Sequence, residues 1–297
     1  MSKILVTGGA GFIGSHLVDA LVDKHKVTVL DDLSVGKKVY INKKATFKKG
    51  KIQSITIQSF IEKGKFDIIY HLAAQKNLQY SKSHPVEDAE TNIIGSLRLI
   101  DSAKKYGIKK FIFYSTAAVY DPKSKPPNKE SETPNPATPY GVAKRVIEKY
   151  LEISDLPFTI LRLSNVYGPR QDAEGEGGVV AIFCKSFAEG KAPHIYNSGK
   201  QTRDFVYVVD VVSASVRVMH VRWNGVVNIS TNKETDINTL FTRLGSITKK
   251  PLEPRRGKKV PEQIRSRMSN SKAKRVLGWT PKTTLQVGLK QTYRIYE

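Results

Sequence analysis

Three glycines, at positions 8, 11 and 14, stand between a β-branched run and the first helical stretch of this chain. The run Lys3-Ile4-Leu5-Val6-Thr7 reads as a buried strand. Thr7-Gly8-Gly9-Ala10-Gly11-Phe12-Ile13-Gly14 follows it directly. Glycine permits so tight a turn and lets another group approach the backbone. The helix expected from near Phe12 presents free N–H groups and the positive end of its dipole, which together suit a phosphate. A strand, this spacing and a helix in that order is the opening of a parallel α/β sheet that binds a dinucleotide.

The rest of the chain continues the alternation. Residues 27–30, 67–71 and 111–114 repeat the strand pattern. Between the last two, Val86, Ala89, Ile93, Leu97, Ile100 and Ala103 recur at three- and four-residue spacing, which predicts one helical face closed by Gly107. Strands alternating with helices predict a doubly wound parallel sheet, the Rossmann arrangement, followed by a smaller C-terminal α/β lobe. Residues 121–139 carry Pro122, Pro126, Pro127, Pro134, Pro136 and Pro139, so a surface loop is expected there. A helix from near Tyr140 to about residue 152 comes next, then a strand at 158–163 and a polar loop at 168–178. Further strands are expected at 204–208 and 226–229. With 297 residues, the chain has room for a cofactor domain plus a second lobe. The expected division gives residues 1–165 plus about 203–230 to the first, and about 166–202 plus 231–297 to the second.

The second strand ends in Asp31-Asp32, about 20 residues past the glycines, where an acid accepts hydrogen bonds from ribose hydroxyls and repels a 2′-phosphate. NAD is therefore expected rather than NADP. Lys37 and Lys38, which argue the other way, belong to a general excess of 49 Lys+Arg over 27 Asp+Glu, a formal charge of +22. That excess gathers at Lys37, Lys38, Lys43, Lys44, Lys48, Lys49 and Lys51, and again around Lys249 to Lys259. It is read as a solvated surface that also steers anionic substrates. Without an aromatic ladder among the lysines, no specific nucleic-acid site is expected. The single cysteine, Cys184, allows no intrachain disulfide, and no Cys/His cluster has zinc spacing, so no metal is expected. No apolar run approaches the roughly 20 residues of a membrane helix and no leader is recognisable, so a cytoplasmic protein is expected.

Tyr140 and Lys144 lie four residues apart on the predicted helix, on one face. A lysine charge about 5 Å from a phenol at an effective dielectric of about 20 lowers its pKa by roughly 2 units. The positive ring of oxidised nicotinamide adds to this, and a phenol brought near neutrality is an effective general base. Thr116 follows the strand at 111–114, at the carboxyl end where ligands of such sheets sit, and its hydroxyl is placed to share the oxygen that Tyr140 serves. Ser115 competes for that role.

These features, with His71-Leu72-Ala73-Ala74, residues 115–120, Asn165-Val166-Tyr167-Gly168-Pro169-Arg170, residues 177–183 from Gly177, Arg203-Asp204-Phe205 and Leu277-Gly278-Trp279, resemble the extended short-chain dehydrogenase/reductases, specifically the UDP-glucose (UDP-galactose) 4-epimerase group. The resemblance implies that Gly8, Gly11, Phe12, Ile13, Gly14, Asp31, Asp32, Ile52, Leu72, Ala73, Ala74 and Lys144 hold NAD. It implies that Thr116, Asn165, Arg203 and Arg256 hold a UDP-sugar, in keeping with the fit of arginine forks to phosphate oxygens. It further implies a homodimer built on the helices around Ser96 and Tyr140. Related 4,6-dehydratases carry an acidic pair just after the catalytic threonine, and decarboxylases a glutamate. Here Ala117 and Ala118 stand there, and alanine transfers no proton.

The implied reaction is inversion at C4: Tyr140 takes the C4 hydroxyl proton, hydride passes to NAD, the 4-keto sugar turns, and hydride returns to its other face. Alternatives are a 4-ketoreductase of the same family and a non-catalytic nucleic-acid-binding relative. Three places depart from the family pattern. Lys51 replaces an aspartate that contacts adenine, Asp121 replaces a glycine, and the region after Gly257 is rearranged. Ser266 falls where the family sets the size of the sugar pocket, and a small side chain there admits an N-acetyl group.

Overall fold

A computed structural model of the chain describes residues 1–174 and 178–297, so Gly177 lies outside the described residues. The chain begins with β1 (Lys3–Thr7), α1 (Phe12–Leu21), β2 (Lys26–Asp31), β3 (Thr46–Lys49), α2 (Ile57–Gly64) and β4 (Ile68–His71). It continues through α3 (Leu78–Ser83), α4 (Pro85–Ala89), α5 (Ser96–Lys105), β5 (Lys110–Thr116), α6 (Pro139–Glu152) and β6 (Phe158–Leu163). Next come β7 (Asn165–Tyr167), α7 (Val179–Ala188), β8 (His194–Ile195), β9 (Thr202–Arg203), β10 (Phe205–Tyr207), α8 (Val208–Val218) and β11 (Gly225–Ile229). The last elements are β12 (Thr235–Asp236), α9 (Ile237–Thr248), β13 (Arg255–Arg256), α10 (Ser271–Leu277) and α11 (Leu285–Tyr293).

Seven strands form a parallel sheet in the order β11-β6-β5-β4-β1-β2-β3, flanked by helices in the Rossmann manner. β1 pairs with β2 on one side (Thr7 opposite Leu30) and β4 on the other (Thr7 opposite His71). The chain therefore reverses its direction of sheet growth beside β1, and the carboxyl end of that strand is where such a sheet opens a ligand crevice. Every residue of β4 and β6 is buried. Parallel strands covered on both faces need this continuous apolar run. Leu5, Ile69, Phe111 and Phe113 from the sheet pack with Leu99 of α5 and Ile147 and Leu151 of α6.

Two compact units make up the chain: Met1–Asp121, Thr133–Arg162 and Val212–Val227 in the first, and Pro122–Glu132, Leu163–Val211 and Asn228–Glu297 in the second. The division expected from sequence had placed residues 122–132 and 203–211 with the first. In the second unit, Phe183 and Phe187 of α7 pack on Phe241 of α9, with ring centroids 6.1 and 5.2 Å apart. Buried Asp204 accepts hydrogen bonds from the backbone N–H groups of Thr231, Asn232 and Met268. Asp210 accepts those of Lys282 and Thr283, and Trp279 Nε1 donates to the Asp210 carbonyl at 3.0 Å. The motifs around Asp204 and Trp279 thus tie distant segments of this unit together. Among the described residues, no helix is long and apolar enough to cross a membrane.

Two local expectations are corrected. The face from Val86 to Ala103 is not one helix, because a π turn at Glu90–Gly95 separates α4 from α5. Its wider loop rotates the apolar stripe, so Val86 is 70% exposed while Leu99 and Ala103 are fully buried. The lysine-rich stretch contains β3, an edge strand with exposed Lys48 and Lys49, and charge on an edge discourages pairing with other chains. The strand expected at 204–208 is shorter, because Val208 already begins α8.

Candidate active site

The glycine turn is shaped by contacts that no side chain fits. Gly8 adopts φ +72°. A Cβ there would lie 2.7 Å from Ala73 N, and one at Gly14 would lie 2.2 Å from Gly8 O. Gly11 caps α1 without a side-chain hydrogen bond, leaving the first N–H groups of the helix, with Phe12 and Ile13 half-buried, to meet an anion. Leu72 and Ala73 donate their N–H groups to Thr7 O at 3.1 Å each, which holds the 72–74 segment against the turn. Asp31 is 8% exposed and accepts from Ala10 N at 3.0 Å and Leu33 N at 2.8 Å, while burial raises its pKa. Asp32 accepts from Ser34 N and Oγ. Gly50 N donates to Asp31 O, so Ile52, itself buried, follows directly on the same strand ends, whereas Lys51 is exposed. A pyrophosphate cradle that any Cβ would fill, with acids at the end of β2, fits a dinucleotide.

On the other side of β1, α6 is set by Thr138, whose Oγ1 accepts from Gly141 N at 3.1 Å, and by Pro139 in its first turn. A Cβ at Gly141 would lie 2.4 Å from Ala118 O, so the first turn of α6 rests on the turn that follows β5. Thr116 and Tyr140 flank this contact. Lys144 is 3% exposed, and its Nζ donates to Tyr114 O at 2.9 Å. The same Nζ lies 4.7 Å from the Phe113 ring centroid and 5.7 Å from that of Tyr140. Thr116, Tyr140 and Lys144 are therefore gathered at the carboxyl end of β5. Ser115 and Thr116 now differ: Ser115 is buried and donates to Glu148, while Thr116 is half-buried and its Oγ1 accepts from Ala118 N at 3.1 Å. Ala117 and Ala118 are half-buried beside it.

The electrostatics correct the sequence arithmetic. Burial, reinforced by the Asp88 carboxylate, pushes the Tyr140 phenol up to about 12 rather than down. Burial brings Lys144 down to about 8, against the pull of Asp88 and Glu148. Counting one neighbouring charge omitted the cost of taking a phenoxide out of water, and that cost is the larger effect.

The second unit holds the remaining candidates. Asn165 is exposed at the start of β7, which pairs with β10. Arg203 Nη2 pairs with Glu262 Oε2 at 2.6 Å, and its Nη1 donates to Thr202 O and Gln263 O. Arg256 is exposed on β13, with Nη1 3.4 Å from Asn238 Oδ1. Ser266 is 5% exposed, and its N–H donates to Thr202 O.

Comparison with known proteins places these features in a family. Residues 4–230 match the model of the NAD dependent epimerase/dehydratase family. The chain belongs to this family. It is 37% identical to the UDP-glucose 4-epimerase of Mycolicibacterium smegmatis, over 99% of this chain and 98% of that one. It is 35% identical to UDP-glucuronic acid decarboxylase 6 of Arabidopsis thaliana, over 97% and 86%. The crystal structure of UDP-glucose 4-epimerase with UDP-glucose from Thermotoga maritima superposes with a TM-score of 0.95, at 43% identity over 99% and 98% of the two chains. Membership makes NAD the cofactor, in agreement with the cradle at Gly8, Gly11 and Gly14.

Sequence reasoning missed the polar network under this site. His71 is fully buried, bonded through Nδ1 to Thr7 Oγ1 and through Nε2 to Ser96 Oγ, each at 2.8 Å. Burial lowers its pKa to about 3. Glu148 is fully buried and receives Arg162 through Nε at 2.9 Å and Nη2 at 2.7 Å. Asp88 is 2% exposed and accepts from Gln75 Nε2 and Asn92 Nδ2, both at 3.0 Å, and from Ser81 Oγ. The available signal was a carboxylate and an amide, Asp88 and Asn92, four residues apart in a helical stretch.

Proposed function

We propose that the chain is a UDP-hexose 4-epimerase that inverts C4 of UDP-glucose or UDP-galactose, N-acetylated sugars included, through a 4-keto sugar. The observation that carries this reading is the close approach of Gly141 to Ala118 O, which seats the helix bearing Tyr140 on the turn that follows Thr116, with Ala117 and Ala118 where related enzymes carry an acid. NAD held at the Gly8, Gly11 and Gly14 cradle would supply the hydride acceptor and donor for C4. Tyr140 Oη accepts the C4 hydroxyl proton and later returns it, and Thr116 Oγ1 holds the same oxygen. Lys144 keeps its charge within reach of the phenol, favouring the phenoxide. Ala117 and Ala118 move no proton at C5 or C6, so neither the acidic pair of a dehydratase nor the glutamate of a decarboxylase stands at those positions. The names and extent of the similar epimerases favour the same reading.

In the second unit, Asn165, Arg203 and Arg256 are assigned to the nucleotide diphosphate. Arg203 already holds an anion, the Glu262 carboxylate, in the fork where a phosphate oxygen would pair. Ser266 is assigned to the size of the sugar pocket. The protein is further assigned as a cytoplasmic homodimer. Ile94 before α5 and Val142 and Tyr150 of α6 are 44%, 45% and 46% exposed, an apolar surface suited to a second copy. Incubation with NAD and a panel of UDP- and dTDP-sugars tests the function. Inversion at C4 without net change in NADH is expected. Net formation of NADH, from a 4-ketoreductase running in reverse on the sugar alcohol, would instead identify that alternative, and tight RNA binding at high salt without turnover a non-catalytic relative.

A further inference from the structure

Arg162, near the end of β6, is 2% exposed, and its guanidinium makes contact in two directions within the first unit. Toward α6, Nε and Nη2 donate to the two oxygens of Glu148 at 2.9 and 2.7 Å. This is a planar fork on a carboxylate that is itself fully buried. Toward the end of β5, its Cζ lies 4.8 Å from the ring centroid of Tyr120, within the range of a cation on an aromatic face. Tyr120 is 3% exposed and closes the turn Ala117–Val119, which Thr116 opens by accepting from Ala118 N. One guanidinium therefore touches both α6 and the turn that begins at Thr116.

Glu148 lies one turn beyond Lys144 and two beyond Tyr140 on a continuous helix, so a shift at Glu148 is carried to both. Charge balance at Glu148 does not depend on Arg162 alone. Arg145 Nη1 also reaches it, at 3.1 Å, while serving Glu152 at 2.7 Å. Nor is so deeply buried a pair a strong source of stability, because desolvation of two ions offsets much of their attraction. What Arg162 supplies is direction. Two parallel hydrogen bonds on one side and a flat ring on the other allow one placement of α6 against the turn. A lysine, a point charge on a flexible stem, would allow several.

We propose that Arg162 is a positioning residue for the reaction, setting the separation of Thr116 and Tyr140 by holding Glu148 of α6 and Tyr120 of the turn after β5 at once. This rests on the assignment of Thr116 and Tyr140 to the C4 oxygen. A misplacement of about 1 Å between such groups costs on the order of 100-fold in rate.

Arg162→Lys is the test, because it keeps a positive charge beside Glu148 and loses both the fork and the flat face. In the NAD-loaded enzyme, kcat for inversion at C4 is expected to fall by about 10- to 100-fold, with KM for UDP-glucose little changed. Circular dichroism and NAD content at the assay temperature are expected to match the parent. Independently of turnover, crystal structures of the two proteins are expected to differ by about 0.5 Å or more in the distance from Thr116 Oγ1 to Tyr140 Oη. Parental kcat, an unmoved distance, or a loss of rate only in step with loss of folded protein would overturn the proposal. Should Arg162→Lys fail to fold, Tyr120→Leu, which removes the aromatic face, is expected to lower kcat more than Tyr120→Phe, which keeps it. Equal rates in those two would overturn it as well. If Tyr140→Phe itself keeps full turnover, the underlying assignment fails instead, and the crystal structures still decide whether Arg162 sets the separation.

Discussion

Ser115 Oγ donates to Glu148 Oε1 at 2.6 Å, a bond buried beneath α6. The hydroxyl next to Thr116 is therefore committed to the interior, where it helps hold the helix that carries Tyr140 and Lys144. Glu148 is one turn beyond Lys144, and its second oxygen receives Arg162 from β6. Strand end, helix and neighbouring strand are locked by one carboxylate.

The two adjacent hydroxyls should consequently separate in their effects. Thr116→Ala is expected to lower kcat by about 100-fold with little change in melting temperature, since it removes a hydrogen bond needed most in the transition state. Ser115→Ala leaves a buried carboxylate short of one donor and is expected to destabilise the protein by about 1–3 kcal/mol while keeping most turnover. Steady-state kinetics beside urea denaturation distinguish them, and equal kinetic defects would contradict the assignment.

His71 makes a prediction about acid. Its folded pKa of about 3 lies below the ordinary 6.5, so the unfolded chain takes up a proton that the folded chain refuses. Its contribution to stability is complete above about pH 6.5 and is lost as pH falls toward 3, at no more than about 1.4 kcal/mol per pH unit. Comparing urea midpoints at pH 7 and pH 5, His71→Gln is expected to lose less on acidification than the parent chain. An equal loss in both would show that His71 does not drive acid sensitivity.

The strands and the glycine turn were legible because their causes are local: β-branched runs, and a steric demand at Gly8 and Gly14 that no other residue meets. The π turn was not, since a three- and four-residue periodicity has no place for a wider loop. Asp88 is illegible for a related reason: the buried face of this stretch runs through Asp88, Asn92 and Ser96, while Val86 faces water. Sequence spacing reports which charge is near Tyr140 but not how much water is gone, and burial is what raises its pKa in the fold. The sequence favours Thr116 with Ser115 as its competitor, and the position of Glu148 separates the two.

The assigned homodimer predicts that a charge on the exposed α6 surface separates the copies. Val142→Glu is expected to convert a dimer to a monomer in light scattering, with the fold retained by circular dichroism, because an unpaired charge in an apolar interface is costly. A parent chain that is already monomeric at micromolar concentration would contradict the assignment.

The account depends most on the phenol at position 140. Parent enzyme and Tyr140→Phe, each loaded with NAD, can be given UDP-glucose and the product read for the configuration at C4. The parent is expected to form UDP-galactose, and Tyr140→Phe to do so about 1,000-fold more slowly, as expected for loss of a general base. Undiminished inversion by Tyr140→Phe would contradict it.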